Sequence, residues 1–241
     1  MCGIVANFSD NPSVILKDHI IKGMLDTIAH RGPDGSGILK ISETAIIGHR
    51  RLAVIDVKSG GQPMVSADGR YSLVFNGEIY NYIELRQELL DLGYKFNTDS
   101  DTEVLLISLI KWGIEALKKL NGMFAFVLHD RMDGAWIAAR DHFGIKPLYY
   151  ADTGFELIFA SEIKALLAHP SVKACRDEKA LHQYLTFQFC LDDRTLFSGI
   201  HKIKPAHFLA GKGNEIKKEE CYWDVDYRID VNTSGDEFEE H

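Results

Sequence analysis

Residues 1–8 read Met1-Cys2-Gly3-Ile4-Val5-Ala6-Asn7-Phe8, a cysteine directly behind the initiator methionine and at the head of a short apolar run. Initiator methionine is normally removed when a small residue follows it. Removal leaves Cys2 with both a thiol and a free α-amine, and the reference pKa of such an amine is about 7.7–8.0. One residue can then supply a nucleophile and the base that takes its proton. The competing reading is an ordinary core cysteine, since a free thiol packs as a small hydrophobe. Cys2–Phe8, apolar and partly β-branched, is expected to form a strand.

Downstream of this strand, Val14–Ile28 places apolar residues at Val14, Ile15, Ile20, Ile21, Met24, Leu25 and Ile28, the spacing of one helix face. Residues 30–37, with three glycines and a proline, read as a loop. Strands are expected at 37–41, 45–50, 71–76, 123–129, 135–140, 147–151, 157–160, 207–210 and 216–222. Asn81 is placed to cap a helix that runs to Leu92 and stops at Gly93. Further helices are expected from Asp101 to Trp112, over Ile163–Leu167 and over Asp177–Phe187. Strand runs joined by short turns, with helices grouped between them, predict an α+β domain rather than alternating βαβ units. The segment 224–241 is acidic and polar and reads as a linker or tail.

The chain has 241 residues, 46% hydrophobic and 26% charged, and a formal net charge of −8. No apolar run approaches the roughly 18 residues of a membrane span. No basic-then-apolar leader opens the chain, so a cytoplasmic protein is expected. No long basic patch points to nucleic acid. The four cysteines (Cys2, Cys175, Cys190, Cys221) lack the spacing of a zinc site or a disulfide framework, and no metal is expected.

Four clusters accompany Cys2. The loop His30-Arg31-Gly32-Pro33-Asp34-Gly35-Ser36-Gly37 is by itself a glycine-rich turn. The run His49-Arg50-Arg51-Leu52-Ala53-Val54-Ile55-Asp56 carries arginines in a strand-like stretch, where a guanidinium is costly to bury without an anion. Either Arg50 or Arg51 offers the planar fork that suits a carboxylate, unless both serve surface ion pairs. Asn76-Gly77 marks a tight turn or, alternatively, an oxyanion hole, in which one donor lowers the barrier by about 2.7–4 kcal/mol. Glu78 beside it can take a substrate ammonium. Thr98–Glu103 is a helix start whose Asp101 can present a carboxylate to the same ammonium. Together these groups describe one ligand with a carboxylate, an ammonium and a reactive carbonyl, and glutamine is the natural candidate.

These motifs resemble the class II glutamine amidotransferase domain of glutamine-dependent asparagine synthetases. The matching stretches are HRGPDGSG at 30–37, RRLAVID at 50–56, GGQPM at 60–64, NGEIYN at 76–81, SDTE at 100–103, GMFAF at 122–126 and RDHFGIKPLYY at 140–150. They span roughly residues 2–210. The resemblance implies an N-terminal-nucleophile hydrolase fold: a four-layer αββα sandwich with two antiparallel sheets, over residues 1–223. It implies that Cys2 attacks the glutamine side-chain amide, its own amine accepting the proton. Asn76 and Gly77 then hold the oxyanion, Arg51 takes the α-carboxylate, and Glu78 and Asp101 take the α-ammonium. Backbone groups of Leu52, Ala53, Val54 and Ile55 line the pocket. GMFAF reads as core strand, and RDHFGIKPLYY as scaffold and docking surface.

An asparagine synthetase of this type continues into an ATP-pyrophosphatase domain with an SGGLDSS-type loop, which does not occur in these 241 residues. The expected partner is therefore a synthetase domain or subunit, which would use ATP and Mg²⁺ to amidate aspartate or another carboxylate. The glutaminase half itself needs no cofactor. A homodimer is compatible with this reading. The alternative is a glutamine-binding or regulatory module with little catalysis of its own, which a retained Met1 would favour.

Overall fold

The computed structural model describes residues 1–11, 17–57 and 59–227. In chain order the strands are β1 (Gly3–Ser9), β2 (Gly35–Ser42), β3 (Ala45–Arg51), β4 (Met64–Val65), β5 (Tyr71–Ile79), β6 (Gly122–Asp130), β7 (Ala135–Arg140), β8 (Tyr149–Asp152), β9 (Glu156–Ala160), β10 (Ile200–Lys202), β11 (His207–Lys212) and β12 (Glu215–Cys221). The helices are α1 (Asp18–Thr27), α2 (Tyr82–Asp91), α3 (Asp101–Trp112), α4 (Ile163–Leu167) and α5 (Glu178–Phe187).

Among the described residues two six-stranded sheets form, ordered β10-β8-β9-β1-β3-β2 and β12-β11-β7-β6-β5-β4, and the ladders within them are antiparallel. The layers follow from the period-2 alternation of side chains along a strand. On β1, Ile4, Ala6 and Phe8 enter the apolar cluster between the sheets, while Val5 joins the cluster under α1 and α4. On β6, Ala125 and Val127 face the inter-sheet cluster, and Phe124, Phe126 and Leu128 face α2 and α3. Both faces are buried, so these strands read as nearly continuous apolar runs. Between the sheets, Trp136 stacks on Phe8 at 5.9 Å and meets Phe159 edge-on at 5.3 Å. Burying each such ring contributes about 1.5–3 kcal/mol. The order helix, sheet, sheet, helix is the expected αββα sandwich.

The expected helix over Val14–Ile28 is seen as α1 from Asp18; Val14 and Ile15 lie outside the described residues, as do 228–241 of the acidic tail. Asn81 occupies the cap position of α2, but its side chain is used elsewhere. Its Nδ2 donates to Lys119 O at 2.9 Å and its Oδ1 accepts from Asn121 N at 2.9 Å, tying the helix start to the turn before β6. Gly93 stops α2 as expected: it adopts φ 89°, and the N–H groups of Gly93 and Tyr94 close back on Leu90 O and Leu89 O. β4 and β10 escape sequence reading because two or three residues are too few to show a period. No described helix is long and apolar enough to cross a membrane.

Candidate active site

The start of β1, the end of β3, the C-terminal half of β5 and the start of α3 converge on a cavity of about 180 Å³. Cys2 opens onto it. Its thiol donates to Leu52 O at 3.6 Å and accepts from Leu52 N at 3.4 Å, so a single backbone unit holds the sulfur. Burial pushes the thiol above its ordinary value, while the Leu52 N–H, the terminal amine and Arg51 pull it back down. The other three cysteines are free thiols that do not line the cavity.

Arg50 and Arg51 part company, as neighbours on a strand must. Arg50 turns to α1, donating to Leu25 O and pairing with Asp26. Arg51 lines the cavity, its guanidinium braced by Val57 O at 2.9 Å and Asp56 O at 2.6 Å. Gly60 lets it sit there: a Cβ at that position would lie 2.8 Å from Arg51 Nη2. The structure thus places Arg51, and not Arg50, at the cavity. Leu52, Val54 and Ile55 also line the wall. Ala53 does not; its N–H is taken by Asp34 Oδ2 at 2.9 Å, which pins the 30–37 loop to this segment.

Asn76 and Gly77 lie within β5, paired with Ala125 and Phe124 of β6, and not in a turn. Asn76 is 1% exposed, yet neither its amide nitrogen nor its amide oxygen has a hydrogen-bond partner. An orphaned buried amide is costly unless a ligand completes it. Gly77 is required by crowding, because a Cβ would fall 2.3 Å from Met123 O and 2.7 Å from Phe124 Cα.

Glu78 and Asp101 both face the cavity. Ser100 caps α3 through Thr102 N, and Asp101 accepts from Ile79 N at 3.1 Å. Burial, with Glu78 adding repulsion, pushes the Asp101 carboxyl up to about 6 against hydrogen bonds that favour its ionised form. A folded-state value above the unfolded 3.8 means that the carboxylate costs stability, fully above pH 6 and not at all below about 3.8. Asp101→Asn should therefore raise stability at neutral pH by on the order of 2–3 kcal/mol, with the gain vanishing near pH 3.5. Thermal unfolding of both proteins at pH 7.5 and 3.5 checks this; an equal difference at the two pH values would refute it.

Three site features are not read from the sequence. Arg31, buried in the 30–37 loop, donates from Nε to Cys2 O at 2.8 Å and from Nη1 to Glu162 at 2.9 Å, fixing the backbone of Cys2. An arginine in a glycine-rich loop is the available signal, since a turn does not call for one. Gln62 accepts from Phe75 N at 2.7 Å and donates to Thr102 Oγ1 at 3.3 Å, joining β5 to α3 under the cavity. Lys146, within the stretch read as scaffold, lines the cavity wall with Met123. Among the described residues, no group of three or more His, Cys, Asp or Glu is arranged to hold a metal ion.

The sequence pattern of glutamine amidotransferase domains matches residues 1–223. The chain belongs to that family. This amidotransferase domain is 47% identical over 208 residues to asparagine synthetase [glutamine-hydrolyzing] 1 of Bacillus subtilis, covering 85% of the chain and 32% of the relative. It is 38% identical over 229 residues to asparagine synthetase [glutamine-hydrolyzing] 3 of the same organism, covering 94% and 37%. The domain thus spans about a third of the length of these relatives. Its fold is shared with the glutamine phosphoribosylpyrophosphate amidotransferase of B. subtilis, with a TM-score of 0.66 at 22% identity, covering 92% of this chain and 49% of that one. That likeness bears out the expected fold, two antiparallel sheets stacked between helical layers.

Proposed function

We propose that this cavity hydrolyses L-glutamine to glutamate and ammonia through a thioester on Cys2. The observation that carries the proposal is the placing of a thiol and an unpartnered, buried Asn76 amide on one cavity wall. After Met1 is removed, the Cys2 amine takes the thiol proton as sulfur attacks the side-chain carbonyl carbon. The developing oxyanion is held by Asn76 and the Gly77 N–H. Collapse breaks the C–N bond, and the proton on the amine passes to the leaving nitrogen, giving ammonia. Water then attacks the thioester, restoring the thiol and giving glutamate. Arg51 takes the α-carboxylate, Glu78 and Asp101 take the α-ammonium, and Leu52, Val54 and Ile55 line the pocket.

The hydrolysis draws on protein groups alone. The ammonia passes to a synthetase domain or subunit, where ATP and Mg²⁺ activate aspartate or another carboxylate. The setting is the cytoplasm. The test is to incubate the processed protein, its mass confirming loss of Met1, with L-glutamine and follow glutamate and ammonia. Equimolar appearance of both supports the reading. Glutamine recovered unchanged, with no labelling of Cys2 by a diazoketone analogue of glutamine, overturns it. Arg51→Ala should weaken glutamine binding about 10- to 150-fold, as expected for a lost charge-assisted pair. Arg51→Lys should recover only part, because lysine lacks the fork. Unchanged KM in both variants would remove Arg51 from the site.

A further inference from the structure

The loop from β7 to β8 carries a cation to the cavity wall. Lys146 is 5% exposed and lines the wall that also holds Cys2, Glu78 and Met123. Its ammonium makes no hydrogen bond or ion pair with any described residue. The stem of Lys146 is buried while its ammonium opens onto the cavity, and the loop that carries it is held in place by other contacts. The Asp141 carboxylate accepts from four N–H groups: Phe124 at 3.1 Å, Phe143 at 3.2 Å, Ile145 at 2.8 Å and Lys146 itself at 2.9 Å. Arg140 donates to Lys146 O at 2.8 Å and Ile203 O at 2.7 Å. Because Phe124 pairs with Gly77, the same grip sets Lys146 in register with the oxyanion residues.

The charged groups around the Lys146 ammonium come from each neighbouring element. They are the terminal amine and Cys2 at the start of β1, Arg31 from the 29–31 turn, Glu78 from β5 and Asp141 from its own loop. Arg51 and Asp101 face Cys2 from β3 and α3. We propose that Lys146 is a positioning residue for the nucleophile: its charge keeps the neighbouring α-amine unprotonated and favours the thiolate once the proton leaves. The terminal amine is held below its ordinary value by burial, against an opposing pull from Cys2, with Arg31 and then Lys146 adding to the lowering. In the structure this amine is that of Met1; removal of Met1 places it on Cys2, which shares the cavity wall with Lys146. The two effects act in one direction. Without the cation, the amine holds its proton to higher pH and the thiol ionises at higher pH.

The inference rests on the glutaminase reading, so the experiment has one readout that does not. Wild type, Lys146→Met and Lys146→Arg, each with Met1 removed, are compared for kcat/KM of glutamine hydrolysis and for the rate of Cys2 alkylation by iodoacetamide across a pH range of about 5.5–9.5. The acid limb of both profiles should move up by roughly half to one pH unit in Lys146→Met, as for loss of one charge across a partly screened site. It should stay near wild type in Lys146→Arg. Thermal stability of Lys146→Met should be unchanged or higher. A shifted alkylation profile in a protein that releases no ammonia would keep the electrostatic role and discard the glutaminase reading. Superimposable profiles in all three proteins, or a stability loss without a shift, would overturn the proposal.

Discussion

Cys2→Ala is expected to release no ammonia from glutamine above background while unfolding at the wild-type temperature. The two hydrogen bonds of the thiol are both to the backbone of Leu52, and sulfur is a weak donor and acceptor. Losing the sulfur opens a small space beside a cavity that already exists, so little packing is lost. Covalent chemistry, by contrast, has no substitute here, because Cys175, Cys190 and Cys221 lie off the cavity. The variant should still bind glutamine, since Arg51, Glu78 and Asp101 are untouched. Ligand binding to the folded state then raises the unfolding temperature with glutamine concentration, which separates lost chemistry from lost binding. Alanine at any of the other three cysteines should leave hydrolysis near wild type. Wild-type ammonia release by Cys2→Ala would end the assignment, and complete loss in Cys175→Ala would redirect it.

How legible this protein is from sequence depends on the range of the interactions involved. The long strands and helices are readable because each is stabilised by its own periodic face: Ile21, Met24 and Leu25 of α1, or the doubly buried run Phe124–Leu128. Asp101, Glu78 and Arg51 are readable because the motifs that carry them are contiguous. What escapes is set by partners far along the chain. The side chain of Asn81 prefers a turn 38–40 residues away to its own helix. Arg31 is committed to Cys2 and to Glu162, 131 residues away. The N–H of Ala53 goes to Asp34, 19 residues upstream. Lys146 reaches the cavity through Asp141, whose carboxylate holds the Lys146 N–H and the Phe124 N–H of β6 together.

Asn76→Ala is expected to lower kcat for glutamine hydrolysis by about 100- to 1,000-fold, the loss typical of one oxyanion donor. KM should change little, because the amide acts on charge that develops only in the transition state. The free protein gives an independent check. An asparagine serving the fold would be hydrogen-bonded, and its removal would cost stability. Asn76 is buried with both amide atoms unpartnered, so alanine removes two unsatisfied polar groups and should leave the unfolding temperature unchanged or raised. Asn76→Asp should fare no better in catalysis, since a carboxylate offers no donor and repels the oxyanion. The two measurements therefore move apart for a residue that serves the reaction and together for one that serves the fold. If kcat and the unfolding temperature fell together in Asn76→Ala, or if kcat held while KM rose, the amide would belong to the framework or to substrate binding, and the oxyanion would have to be held by Gly77 and some other donor on the cavity wall.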